Sequence, residues 1–246
     1  AARRDGPDAV RRHLDAWARS EDPELRRAAA GGVALVEDHL EPLSKEFPVE
    51  VVEALARRPS AKHAARFVQA LGDERAFTAA RDALLRLGPE AVSPLVAAAD
   101  DPETSGPALD VLGEIDAAGS RRALLAAVER EDVQVRYRAA RALARHPERI
   151  EEEGLALVRR RLEKELDEAG KSAEPEWALE RIFLFLSLLD PGPPFRKICL
   201  TLLSGEPAQR ALAIELLDET LPAEWRTRGV AGSWSGSGYW GSAWAW

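Results

Sequence analysis

The sequence contains no methionine, a single cysteine and few aromatic residues, and each shortage excludes something. The one cysteine, Cys199, cannot form an internal disulfide, so a small disulfide-stapled fold is excluded. Aromatic residues make up only 6% of the chain. The core must therefore consist mainly of alanine, leucine and valine, which favours closely packed helices. Because methionine is missing even at position 1, we expect a processed chain or a piece of a longer protein.

Long apolar runs and an excess of basic residues are also missing. The most apolar run, Ile182 to Leu189, is much shorter than the roughly 20 residues that span a bilayer, and the chain does not start with a signal-peptide pattern. A net charge of −8 disfavours nucleic acid and anionic membranes as partners, except through a local basic patch. We expect a cytoplasmic protein, with any membrane association made through a partner or a parent chain.

Motifs for catalysis and for cofactor binding are not found. The four histidines, His13, His39, His63 and His146, do not have the spacing of zinc ligands. The sequence has no glycine-rich phosphate loop, no Gly-x-Ser-x-Gly elbow and no His-Glu-x-x-His. We therefore predict a protein that is not an enzyme and that holds neither a metal nor an organic cofactor.

What the chain does contain is an internal repeat. Five segments align on an acidic first residue, at Asp22, Asp73, Asp101, Asp132 and Glu206. Seven residues later each has an alanine, at Ala29, Ala80, Ala108, Ala139 and Ala213. Eleven residues later each has a branched aliphatic residue, at Val33, Leu84, Leu112, Leu143 and Leu217. Because the two columns differ by four positions, they share one face of a helix.

Each repeat is predicted to be a helix, a short turn and a second helix. An acidic residue suits the start of a helix, and proline follows it at Pro23, Pro102 and Pro207. The central repeats have the length of two short helices and leave no room for strands. The pattern predicts an all-α fold, a right-handed α-solenoid of about six helical hairpins.

Two stretches resemble known helical repeats. The stretch from Ala79 to Pro147, with Ala-Arg-Asp-Ala-Leu-Leu-Arg-Leu-Gly-Pro-Glu-Ala-Val and Val-Arg-Tyr-Arg-Ala-Ala-Arg-Ala-Leu-Ala, resembles bacterial HEAT repeats of the bilin-lyase type. That resemblance implies an adaptor or interaction domain. Glu180 to Pro222, with Arg-Ile-Phe-Leu-Phe-Leu-Ser-Leu-Leu-Asp, is similar to the soluble HEAT region of some bacterial transporters of the nucleotide-translocase type. This second resemblance implies a membrane-associated parent chain.

The composition changes near residue 228, so we predict a repeat domain over 1–228 and a tail over 229–246. Apart from Val230, the tail consists of glycine, serine, alanine and aromatic residues, with Trp234, Tyr239, Trp240, Trp244 and Trp246 as its candidate contacts. Three interpretations stay open: a vector-derived extension, a flexible segment that docks into a partner's groove, and an interfacial membrane anchor.

Arginines are concentrated between Val133 and Arg161, at positions 136, 138, 141, 145, 149, 159, 160 and 161. Arg138, Arg141 and Arg145 are spaced to share a helix face, and Tyr137 is spaced to form a cation–π pair with Arg141. Two interpretations stay open for this segment. It is a solvated face with salt bridges to neighbouring repeats, or it contacts an acidic or phosphate-bearing partner.

The residue nine positions after each repeat start should lie on the more exposed side of the helix. This row is Gly31, Asp82, Asp110, Arg141 and Glu215, and its charge changes from acidic in the middle to basic at Arg141. Arginine and tyrosine are the residue types most frequent at binding hot spots. We therefore predict a partner-binding surface that is centred on Tyr137 and Arg141. Its remaining members are Arg138, Arg145, Asp82 and Asp110.

The function predicted from these features is a non-catalytic scaffold for protein–protein interaction, with a protein partner. One alternative is an extramembrane regulatory module of a transporter-like membrane protein, as the second resemblance implies. Another is a HEAT-type nucleic-acid-binding protein, which the basic segment would serve. The net negative charge disfavours the latter.

Overall fold

The computed structural model describes residues 6–33, 40–169, 174–221 and 225. Within those ranges every regular element is a helix, so the predicted all-α fold class is confirmed. The same ranges contain no helix long and apolar enough to cross a membrane. The chain divides into two compact units, residues 1–123 and residues 124–246.

The first unit is built from short helices that pack on their neighbours in the chain. They are α1 (Gly6–Ala18), α2 (Pro23–Ala30), α3 (Leu40–Glu46), α4 (Pro48–Ala56), α5 (Ala64–Ala70), α6 (Phe77–Leu87), α7 (Val92–Ala98) and α8 (Ser105–Leu112), with α9 (Ala118–Val128) crossing the unit boundary. Helix α1 packs on α2, α3 on α4, α5 on α6, and α7 on α8. This consecutive pairing is the helix–turn–helix unit that the repeat predicts.

The second unit contains longer helices that pack in the same consecutive way. They are α10 (Val133–Leu143), α11 (Glu152–Ala169), α12 (Pro175–Leu189), α13 (Phe195–Ser204) and α14 (Pro207–Thr220), with a 3-10 turn at Pro147–Arg149. Helix α11 packs on α12, α12 on α13, and α13 on α14. The proline-rich segment 190–194 separates α12 from α13, because proline cannot continue a helix there.

The two columns of the repeat lie in the core. All five alanines and all five aliphatic residues of the columns are buried, and eight of the ten are no more than 1% exposed. The small alanine side chain allows a neighbouring helix to come close, and the aliphatic side chain one turn later fills the layer beside it. The predicted register is therefore confirmed in all five repeats.

The acidic residues act at helix starts in two different ways. At Asp22 and Asp132 the helix begins at the next residue, and the carboxylate accepts a backbone N–H two residues later, at 2.9 and 2.7 Å. Glu206 forms a capping box with Gln209 in front of α14. These contacts satisfy N–H groups that have no partner within the helix.

At Asp73 and Asp101 the prediction that the helix begins directly after the acidic residue is wrong. A turn of three residues comes first, and the helices begin at Phe77 and Ser105. The carboxylates cap that turn instead, accepting N–H groups two residues later at 2.9 and 3.0 Å. Each carboxylate therefore still caps backbone N–H groups, although the helix begins three residues later than predicted.

Near the start of the chain, Leu14 is buried, whereas Trp17, one turn later on α1, is 37% exposed. Helix α2 ends at Ala30, and residues 34–39 are outside the described ranges. Glycine weakens a helix, and a Cβ atom at Gly32 would lie 2.6 Å from Cδ1 of Leu14. A larger residue at position 32 would therefore require the side chain of Leu14 to shift.

The alanine column yields a stability prediction. Replacing Ala108 or Ala139 with leucine should lower the free energy of unfolding by about 1–3 kcal/mol, because both positions are fully buried at close helix contacts. The substitutions Ala29→Leu and Ala28→Leu form a matched pair on α2, since Ala29 is buried and Ala28 is exposed. Urea unfolding should show a loss for Ala29→Leu alone, and equal stability of the two variants would contradict the register.

Candidate functional site

The second unit contains a groove between α10, α12 and α13. Its volume is about 680 Å³, within the range of sites that bind small molecules or peptide side chains. The groove is lined by Tyr137, Arg141, Ala144, Arg145, Glu180, Phe183, Leu184, Ser187, Arg196, Cys199 and Leu200. It is therefore the candidate binding site of this unit.

Each of the three helices lines the groove with one stripe of side chains. On α12 the lining residues fall at positions 180, 183, 184 and 187, and on α13 at positions 196, 199 and 200. On α10 they fall at 137 and 141, and positions 144 and 145 directly follow its last residue, Leu143. Spacings of three and four residues keep side chains on one helical face, so these helices and the residues just after α10 form the walls.

The floor of the groove is apolar. Phe183 and Cys199 are 2% and 5% exposed, and Leu184 is half-buried. Leu200 is 54% exposed, although it is a large apolar side chain. Covering such a surface removes apolar area from water and is favourable at roughly 25 cal/mol per Å². The floor therefore suits an apolar side chain of a bound partner.

The rim of the groove is mainly basic. Arg141, Arg145 and Arg196 line it together with one acidic residue, Glu180. In the described part of the chain, neither Glu180 nor Arg196 has an ion-pair partner within 4 Å. An anionic ligand with an apolar part therefore matches both the rim and the floor.

The structure places the predicted contact residues in different surroundings. Tyr137, Arg141 and Arg145 line the groove, whereas Arg138 is half-buried and does not. Asp82, exposed on α6, and Asp110, half-buried on α8, belong to the first unit. Their roles in binding stay predictions. The five aromatic residues of the tail lie outside the described residues.

Tyr137 has an aromatic neighbour that its spacing in the sequence does not indicate. Its ring meets that of Trp177 edge to face, with the centroids 5.4 Å apart. Such pairs add about 0.5–1.5 kcal/mol beyond their buried area. Tyr137 thus helps to hold α10 against α12 as well as lining the groove, and its cation–π pair with Arg141 stays a prediction.

A buried charge cluster joins α10, α11 and α12. The carboxylate of Glu165 is fully buried. It accepts hydrogen bonds from Nε of Arg136 at 3.0 Å, from Nη2 of Arg161 at 2.8 Å and from Nε of Arg181 at 2.8 Å. Nη2 of Arg161 also donates to Glu168 at 2.9 Å. One carboxylate therefore accepts hydrogen bonds from three guanidinium groups on three different helices.

The cluster corrects one interpretation of the arginine-rich segment. Arg136 and Arg161 are 3% and 5% exposed, so they are not part of a solvated face. Nη1 of Arg136 donates to the carbonyl oxygens of Arg130 and Glu131 at 2.9 and 2.6 Å. A guanidinium can be buried when its donors are satisfied and a counter-charge is near. These arginines therefore have an architectural role.

The cluster also determines the protonation of Glu165. Burial by itself would raise the pKa of this carboxyl group, but hydrogen bonds from Arg181 and Arg161 and the charges of Arg181 and Arg136 hold the pKa below its ordinary value. The group is therefore ionised at neutral pH. Because Arg136 precedes Tyr137 and Arg181 follows Glu180, the cluster fixes both long walls of the groove.

No protein-family model matches the chain, and no curated protein matches it either. The described residues contain no group of three or more His, Cys, Asp or Glu side chains that could hold a metal ion. The chemistry of the groove must therefore be inferred from its own residues, and these are suited to binding.

Sequence reasoning missed the residues that α12 and α13 contribute to the groove. The sequence does not indicate that Glu180, Phe183 and Arg196 line the same groove as Tyr137, because they lie about 40 to 60 residues away from it. The three- and four-residue spacing on α12 is the only sequence feature that points to these lining residues. That spacing identifies a helix face but does not reveal which other helix the face meets.

Replacing Glu165 tests the cluster. Glu165→Gln keeps the shape of the side chain but leaves three buried guanidinium groups without their shared counter-charge. We expect the free energy of unfolding to fall by about 3–5 kcal/mol. Asp167→Asn is the matched control, since Asp167 is an exposed residue of the same helix. Urea unfolding should leave this control within about 0.5 kcal/mol of the wild type.

The same variant should change the pH dependence of stability. The pKa of Glu165 is lower in the folded state than its ordinary value of 4.5, so the unfolded chain takes up a proton first as the pH falls. Its contribution is complete above pH 4.5 and is lost as the pH falls further, towards the folded-state pKa. Glu165→Gln should therefore flatten the acid limb of the stability curve, and an unchanged slope would argue against the cluster.

Cys199 provides a chemical probe of the groove. Burial, and secondly the negative charge of Glu180, raise the pKa of its thiol to about 12. Because the thiolate is the reactive form, we expect a disulfide reagent at pH 8 to label the folded protein far more slowly than the chain in denaturant. Comparable rates in the two states would show that the thiol is neither buried nor protonated.

Proposed function

We propose that this chain is a binding module of a HEAT-like α-solenoid, and that its second unit binds an acidic segment of a protein partner. The observation that carries the proposal is the groove itself, with its apolar floor and its excess of arginine on the rim. The helices that pack in consecutive pairs and the resemblance to HEAT repeats support a right-handed solenoid. In such folds the rows of side chains on successive helices provide binding surfaces.

A protein segment fits this groove better than a fully polar ligand does. Leu200 and Leu184 offer apolar surface between the charged residues, and a peptide can place an aliphatic side chain there while its carboxylates approach the arginines. Arginine binds carboxylates with well-defined geometry, and its charge accelerates association with an acidic partner. The role is that of an adaptor or scaffold without catalysis.

The proposal is tested with a fluorescein-labelled peptide of alternating leucine and glutamate. We expect this peptide to bind, and its counterpart with glutamine to bind at least about tenfold more weakly, because it lacks charge for the rim. The double variant Arg141→Ala/Arg196→Ala should lose affinity by a similar factor. The double variant Arg122→Ala/Arg160→Ala is the matched control, since both arginines are exposed and lie outside the groove.

Fluorescence polarisation at two salt concentrations completes the measurement. Binding of the glutamate peptide should weaken as salt increases, since salt screens exposed charges. Equal affinity for the glutamate and glutamine peptides, or an equal loss in both double variants, would refute the groove as the acidic-segment site. Tighter binding of duplex DNA than of the peptide, with a steep salt dependence, would favour the nucleic-acid alternative.

A further inference from the structure

The large apolar side chains that stay exposed are concentrated on two helices. Among the described residues eight such side chains are at least 36% exposed, and four of them belong to α1 or α14, the first and last described helices. They are Val10 at 48%, Trp17 at 37%, Leu212 at 65% and Leu216 at 40%. In stacked-repeat folds the outermost repeats carry a polar outer face, because no further repeat covers them. Apolar side chains on both of these helices therefore indicate interaction surfaces.

On α1 the exposed apolar side chains belong to one stripe. Val10, His13 and Trp17 are exposed and are spaced by three and four residues, so they share one face of the helix. The rings of His13 and Trp17 lie with their centroids 6.4 Å apart. At a rise of about 1.5 Å per residue, the stripe is about 10 Å long.

Helix α14 is apolar on two sides. Ala213 and Leu217 are buried, and the helix packs on α13. Ala208, Leu212 and Leu216 are spaced by four residues and are all exposed, which gives a second apolar stripe of about 12 Å. A helix with a single neighbour normally has one apolar face and one polar face. The second stripe therefore has the composition of a surface that packs on another helix, and its length matches that of the stripe on α1.

The exposed charged side chains of the two helices have opposite signs. On α14 they are all acidic: Glu215, Asp218 and Glu219. On α1 and the residue directly after it, those that the structure describes are all basic: Arg11, Arg12 and Arg19. One half-buried residue of the other sign is present on each helix, Asp15 on α1 and Arg210 on α14. The two surfaces are therefore complementary in charge as well as in length.

We propose that α14 of one molecule packs on α1 of a second copy, so that the chains associate head to tail. The stripe of Ala208, Leu212 and Leu216 covers Val10 and Trp17 of the next copy. Charge selects this pairing, because two copies of α1, or two copies of α14, would bring like charges together. An interface between two different surfaces leaves one of each free and can continue to further copies. The inference is independent of the proposed function, since none of these residues lines the groove.

Two double variants of the full chain, each lacking one stripe, test the pairing in sedimentation velocity. The variant Leu212→Gln/Leu216→Gln keeps the stripe of α1, and Val10→Gln/Trp17→Gln keeps that of α14. Because a few helical turns form a small interface, we expect the wild type to associate over roughly 10 to 500 μM. Each variant alone should stay monomeric. An equimolar mixture of the two should form dimers and nothing larger, because one intact stripe of each kind remains.

The control removes two apolar side chains of similar exposure from other helices. Val96 and Val133 are 38% and 36% exposed, on α7 and α10, and Val96→Gln/Val133→Gln should associate as the wild type does. Glutamine is a good helix former, and thermal unfolding checks that every variant is folded.

A charge variant tests the same interface without changing either stripe. Glu215→Lys/Glu219→Lys places lysines opposite the arginines of α1, so association should weaken by at least about tenfold. Glu74→Lys/Glu90→Lys changes the net charge equally at exposed residues of the first unit and should have a much smaller effect. Equal effects of the two charge variants would overturn the pairing of α14 with α1.

The remaining outcomes are equally decisive. A wild-type protein that stays monomeric over the whole concentration range overturns the proposal. If one stripe variant still dimerises alone, two copies of the same helix form the interface, and the head-to-tail order is wrong. If both stripe variants associate as the wild type does, another surface, such as the tail, is responsible. None of these results affects the groove, because peptide binding is measured separately.

Discussion

The geometry of the second unit depends on one buried carboxylate, that of Glu165. Three guanidinium groups, from Arg136, Arg161 and Arg181, are almost fully removed from water, and transferring a charge from water is costly unless a counter-charge and hydrogen bonds replace the solvent. Glu165 supplies both, at distances of 2.8 to 3.0 Å. The three arginines belong to α10, α11 and α12. Their hydrogen bonds to the one carboxylate of Glu165 therefore determine how these helices are spaced.

The first unit is held together differently. Its ion pairs are more exposed, as in the contact of Arg26 with Glu46 between α2 and α3, and exposed pairs contribute only about 0–1 kcal/mol. Close packing of alanine and leucine, with Ala80 and Leu84 at 0% exposure, dominates there. Packing therefore fixes the helix positions in the first unit. In the second unit the shared charge of Glu165 acts together with packing.

A groove whose walls are held by a buried cluster is suited to binding. Arg136 adjoins Tyr137 and Arg181 adjoins Glu180, so the backbone of both walls is anchored next to the groove residues. A preorganised site loses less entropy when a partner binds. The thiol of Cys199 is protonated and therefore unreactive. Cys199 and Phe183 contribute contact surface to the groove. These properties agree with a module that recognises a segment by its charges and its apolar contacts.

The fold class, the columns of the core and part of the groove can be predicted from the sequence. The alanine and aliphatic columns follow from the periodicity of a helix, which is local, and the same periodicity brings Tyr137, Arg141 and Arg145 to one face. That this face meets Glu180 and Arg196 follows from the packing of helices and is not visible in the sequence. The burial of Arg136 is not visible there either, because its counter-charge lies 29 residues away. Spacing along one helix defines a face, whereas the partner of that face depends on packing between helices distant in the chain.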